Sequence, residues 1–155
     1  STMKFALLIS MVAVGCVVAK TEVEVSVDGT LRCSKTPFSY KLEVLEMDNV
    51  EHEYMTGAFA WDKVENVQRF NIAGKGSDGG MEWYIEPMII MWHNCEGASR
   101  CFCKDLGDLN GDLHVKLDLN LDNYNNYANE FRVCKSEHHC KFWMWGNRQW
   151  WWWDM

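Results

Sequence analysis

The chain has 155 residues, a formal net charge of -7, 48% hydrophobic residues and 24% charged ones. This acidic balance lacks the basic footprint that nucleic-acid binding needs, and the length suits one domain around a single core. No apolar run reaches the roughly 20 residues of a transmembrane helix, so no span is expected.

In chain order, the first signal is a leader. Lys4 is followed by an uncharged run from Phe5 to Ala19 that closes on Val17-Val18-Ala19. A short apolar stretch behind one positive charge, ending in small residues, is the pattern of a secretory signal peptide, expected over residues 1–19, with Met3 as the candidate initiator. Removing 19 of the 155 residues leaves 136, and the loss of Lys4 takes the charge from -7 to -8.

Val23, Val25 and Val27 alternate with Glu22, Glu24 and Ser26, a strand with one buried face, and it closes on Gly29-Thr30-Leu31-Arg32-Cys33. Tyr40 to Val44 also alternates, and Phe70-Asn71-Ile72 reads as a short fragment. Gly74 to Gly80 holds four glycines in seven residues, which predicts a flexible stretch rather than the interior of an element. Ile85 to Cys95 reads Ile-Glu-Pro-Met-Ile-Ile-Met-Trp-His-Asn-Cys. Its Met88 to Trp92 run is apolar enough to be buried on both faces, and Pro87 is tolerated near the strand's start. The earlier strand that closes on Cys33 is its natural strand partner, so Cys33 and Cys95 both end strands and could be cross-linked.

Asp108-Leu109-Asn110-Gly111-Asp112 resembles the opening of a calcium loop, but glycine is not at the sixth position and the twelfth is Leu119 rather than Glu. A turn explains it, with Asp108, Asp112 and the outward Asp118 as calcium candidates. Leu113 to Leu121 then alternates for nine residues, predicting Leu113, Val115, Leu117, Leu119 and Leu121 inward and His114, Lys116, Asp118 and Asn120 outward. A short helix is expected at Asn123 to Phe131. These short strands with turn signals between them predict an all-β sandwich.

Loss of Cys16 with the leader leaves Cys33, Cys95, Cys101, Cys103, Cys134 and Cys140. An even set in a secreted chain reads as disulfides. The ligand types in His93-Asn94-Cys95 and Glu137-His138-His139-Cys140 do not imply zinc, because thiolates bonded to each other cannot bind it. No cofactor is called for.

Gly29-x-Leu31-x-Cys33 together with Ile85-x-Pro87 and His93-x-Cys95 resembles the nematode transthyretin-like secreted proteins. The resemblance covers roughly residues 23 to 95. It implies a transthyretin-like Greek-key β-sandwich, placed over residues 20–141, and a Cys33–Cys95 bond. Cys101 and Cys103 are then tied to Cys134 and Cys140, with both crossed pairings open. It also implies an extracellular carrier, signalling or bridging factor that binds a lipid or cell-surface protein without catalysis.

Two rivals come from other classes. The 5-hydroxyisourate hydrolases resemble this domain in architecture, but they end in Tyr-Arg-Gly-Ser, which this chain lacks, and the five histidines show no spacing of a base with an orienting carboxylate. A structural or host-directed secreted protein with no dedicated ligand is the other. Residues 142–155 form a Trp-rich tail in which Trp150, Trp151, Trp152 and Trp153 stand consecutively. Such a run either folds back over the sandwich, enters a lipid or partner surface, or stems from a misassigned final exon.

Overall fold

The computed structural model describes residues 21–47, 52–78, 84–97 and 100–134. The expected leader, Cys140 and Trp150 to Trp153 lie outside them.

The alternating valines build β1 (Thr21–Arg32), and Val23, Val25 and Val27 are fully buried. After it come β2 (Phe38–Met47), β3 (His52–Lys63), β4 (Val67–Asp78), β5 (Pro87–His93), β6 (Arg100–Asp105), β7 (Leu113–Asn120) and β8 (Arg132–Val133). The fold is all-β. Three strands form one sheet in the order β4-β1-β7, and five form the other in the order β3-β2-β5-β6-β8. Strands β1 and β7 run parallel; the other pairs are antiparallel.

The two sheets close as a sandwich over one core. The small sheet contributes Val25, Val27, Leu31, Ile72, Leu117 and Leu119, and the large one Phe38, Leu42, Val44, Ile89, Met91 and Phe102. Each set comes from alternate positions, as a pleated strand requires. The expected register of β7 holds: Leu117, Leu119 and Leu121 are buried while His114, Lys116, Asp118 and Asn120 are exposed. In β5, Met88 to Met91 are buried on both faces. Pro87 is its first residue, so no ladder hydrogen bond is lost there, and its carbonyl accepts the Leu106 N–H at 3.1 Å.

Three expectations need correction. The Gly74 region is not a flexible break, because β4 runs through Gly74 and Gly76 for 12 residues and contains the Phe70–Ile72 fragment. A Cβ on Gly74 would stand 2.3 Å from the Met55 carbonyl oxygen of β3, so the glycine lets the edges of the two sheets cross closely. The expected helix at Asn123 to Phe131 shrinks to one 3₁₀ turn at Tyr124–Asn126, capped by the Asn123 side chain accepting from the Asn125 N–H. Finally, β1 and β5 are not strand partners. They lie in opposite sheets, so the Cys33–Cys95 disulfide staples the layers together.

Candidate functional surface

The two outer faces of the sandwich differ in chemistry. On the five-stranded sheet, Lys41 of β2 stands opposite Phe59 of β3 and Trp92 of β5. Leu42 next to it is buried in the core, so Lys41, Phe59 and Trp92 share the outward face. Trp61 joins them, with ring centroids 6.3 Å from Phe59 and 5.7 Å from Trp92. In the next row Glu43 faces Gly57 and Ile90. Lys41 Nζ and Glu43 Oε1 are 2.6 Å apart and both largely covered. Burial raises the Glu43 carboxyl and the Lys41 charge partly offsets it.

Beyond that pair, Leu45, Met88, Ile90 and Cys103 form a second buried cluster on the outward side, with Met47, Cys101 and Cys134 packed against it. Two aromatics stand clear of these covered groups. Phe59 is 58% exposed and Tyr54 51%. Gly57 makes room beside them, since a Cβ there would lie 3.0 Å from the Tyr54 hydroxyl. The result is an aromatic ridge of Tyr54, Phe59, Trp61 and Trp92 around one neutralised ion pair.

The outer face of the three-stranded sheet is polar. Ser26 faces His114 across the parallel β1–β7 pair. The Ser26 hydroxyl lies 2.9 Å from His114 Nδ1, and His114 Nε2 lies 2.7 Å from Asp28 Oδ1. With Nε2–H donating to the carboxylate, Nδ1 is left to accept the serine hydrogen. Sequence spacing hid this arrangement, because the histidine meets its serine across a strand pair, 88 residues apart in the chain. An open depression of about 490 Å³ beside it is lined by Asp28, Thr30, Arg69, Asn71, Lys116 and Asp118 among others.

The calcium candidates are dispersed along this side. Asp112 Oδ1 accepts the Glu24 N–H at 2.8 Å. Asp118 Oδ1 accepts the Thr30 hydroxyl at 2.6 Å, which holds its carboxyl below the usual range. Asp108 is exposed. Among the described residues, Cys33, Cys95 and Asp122 do converge, but the two sulfurs are bonded to each other, and Asp122 Oδ1 accepts the Ser34 N–H at 2.6 Å.

His93 serves the core. Its Nδ1 accepts the Cys95 N–H at 3.2 Å, so Nε2–H is turned to the Tyr127 hydroxyl at 2.9 Å. The ring stacks on Phe102 with Tyr127 edge-on. Burial, and after it the Arg100 charge, lowers this imidazole to about 4, which keeps it neutral. The cysteines divide into Cys33–Cys95 and Cys103–Cys134, and Cys101 is disulfide-bonded as well. The aromatic ridge was not foreseen. Its only sequence signal was the alternation of Phe59 and Trp61 in a stretch otherwise rich in small and polar residues.

No protein-family model and no curated protein matches this chain. Among solved structures, an alternative pilotin from the type II secretion system of Vibrio cholerae aligns with 64% of this chain and 96% of its own, at 11% identity and a TM-score of 0.37. Among the described residues, no helix is long and apolar enough to cross a membrane.

Proposed function

We propose that the chain is a secreted, non-catalytic binding protein of the transthyretin-like kind, which engages a lipid or cell-surface partner through the outer face of its five-stranded sheet. The observation that carries this is the ridge of Tyr54, Phe59, Trp61 and Trp92, with Tyr54 and Phe59 each more than half exposed. Amphipathic aromatics on a rigid sheet supply contact area at low entropic cost and suit the boundary between water and an apolar layer. The inter-sheet disulfide supports an oxidising compartment. The return of β4 beside β1, with β2 and β3 paired in the opposite sheet, supports the Greek-key reading. On adding vesicles, Trp61 and Trp92 should shift their fluorescence to the blue, and Phe59→Ser should abolish the shift. An unchanged shift in that variant would move the contact elsewhere.

One observation favours a second reading. The Ser26–His114–Asp28 chain has the donor order of an activated nucleophile, which a hydrolase would use on a substrate held in the neighbouring depression. The His114 side chain is 64% exposed on an open sheet face, so water competes for each of these bonds, and binding remains the better-supported function. Ester hydrolysis by the folded protein that disappears in Ser26→Ala would reverse the order of the two readings.

A further inference from the structure

Asn110 and Gly111 form a bend between Leu109 and β7. Both are exposed, and a Cβ added to Gly111 would meet nothing within 4 Å. The chain on either side of them is held. Leu109 and Ile85 exchange backbone hydrogen bonds of 2.8 Å in both directions, which ties the bend to the stretch that leads into β5. On the other side, Asp112 Oδ1 accepts the Glu24 N–H at 2.8 Å, which ties it to β1. Asn110 and Gly111 are thus an open bridge between two fixed points.

We infer that Asn110 is a site of spontaneous modification, at which the side-chain amide is lost and the backbone is rerouted as isoaspartate. Asn110 is the asparagine that a glycine follows; each of the others precedes a bulkier residue. Glycine has no Cβ, so its amide nitrogen approaches the preceding side chain unhindered. The Gly111 nitrogen gives up its proton to solvent base and attacks Asn110 Cγ. A bond from that nitrogen to Cγ forms, the bond from Cγ to Nδ2 breaks, and Nδ2 leaves as ammonia with a proton taken from water. Water then opens the five-membered imide at one of its two carbonyls. Attack at Cγ restores the ordinary backbone with an aspartate side chain, whereas attack at the backbone carbonyl leaves the peptide bond on Cγ, which is isoaspartate. In sum one water is consumed and one ammonia released, and nothing is oxidised or reduced.

Isoaspartate adds one carbon to the main chain and one carboxylate to the surface, taking the net charge from -7 to -8. The bend takes up the added length by moving an anchor. Leu109 is held by bonds in both directions and Asp112 by its single bond from Glu24, so Asp112 gives way first. The new carboxylate stands between Asp108 and Asp112 in the chain, and repulsion among the three acts in the same direction. Leu113, the first residue of β7, faces Val25, the neighbour of Glu24. Modification therefore loosens the start of the β1–β7 pairing.

The test incubates the folded full chain at mildly alkaline pH and follows Asn110 by peptide mapping, with electron-transfer fragmentation to tell isoaspartate from aspartate. Isoaspartate should accumulate at Asn110, while Asn94, whose Oδ1 accepts the Ser39 N–H at 2.7 Å, keeps its amide. Gly111→Ala should slow the conversion at least about tenfold, because the added methyl stands beside the attacking nitrogen. The Gly111 backbone lies outside the left-handed region, so this variant keeps the fold. Hydrogen exchange at the Glu24 amide should quicken in converted protein and stay slow in the variant. An Asn110 that persists in folded protein over times that convert it in the urea-unfolded chain, or a Gly111→Ala variant that converts as fast as wild type, would overturn the site. A Glu24 amide equally protected before and after conversion would overturn the loosening of β7.

Discussion

Gly29 stands opposite Leu117 in the parallel β1–β7 pair, and an added Cβ would meet the Leu117 carbonyl oxygen at 1.7 Å. The glycine of the Gly-x-Leu-x-Cys segment is thus fixed by backbone packing between parallel strands. Gly29→Ala should break the β1–β7 pairing and cost more than about 3 kcal/mol, whereas Gly111→Ala, with nothing within 4 Å of its Cβ, should change stability by less than about 0.5 kcal/mol; urea unfolding of the two variants measures the difference. His93 makes a pH prediction. The unfolded chain takes up a proton near the ordinary value of 6.5, but the native imidazole does so only near 4. Stability from this group is therefore complete above 6.5, falls as pH drops towards 4, and levels off below that. The loss should approach about 3 kcal/mol. Unfolding free energies between pH 7 and pH 4 should show this slope in wild type, and His93→Phe should flatten it; an unchanged slope would place the proton uptake on another group.

At the scale of elements, β7 offers the sharpest contrast. Leu117→Ala should cost about 2 to 5 kcal/mol, because it leaves a cavity in the core, and Lys116→Ala under about 0.5 kcal/mol, because that side chain is 68% exposed. Equal losses would contradict the register. Strands with an uninterrupted period of two, β1 and β7, were legible from the chain alone, as was β5 from its apolar run behind Pro87. Strands β3 and β4 were not. In β3, two register shifts in its pairing with β2 and partial burial of most positions remove the alternation that reveals a strand. In β4 the glycines that look like a break are there because Met55 of the other sheet crosses above them. The site was harder to foresee for the same reason: the ridge and the Ser26–His114–Asp28 chain are assembled across strand pairs, and register is a tertiary property. The Cys33–Cys95 bond came from family resemblance and is present. Between residues 62 apart it should be worth roughly 2 to 5 kcal/mol, read as the loss in a Cys33→Ala/Cys95→Ala double variant.

For the whole molecule, charge and apolar surface act in opposite directions. A net charge of -7 repels an anionic membrane, and salt screens that repulsion over a Debye length of about 10 Å at 0.1 M. The aromatic ridge surrounds a Lys41–Glu43 pair that is neutral overall, so insertion of rings, not attraction of charge, has to carry the contact. Binding to anionic vesicles should then strengthen as salt is raised, the reverse of a basic membrane-binding patch. The proposed contact belongs to the sandwich rather than to the Trp-rich tail. The most direct measurement is vesicle flotation, with and without phosphatidylserine, of protein truncated after Lys141 beside the same protein carrying Tyr54→Ser and Phe59→Ser. The truncated protein should float with the vesicles and the double variant should remain in solution while still folded; truncated protein that fails to float, or a double variant that floats as well as its parent, would contradict the account.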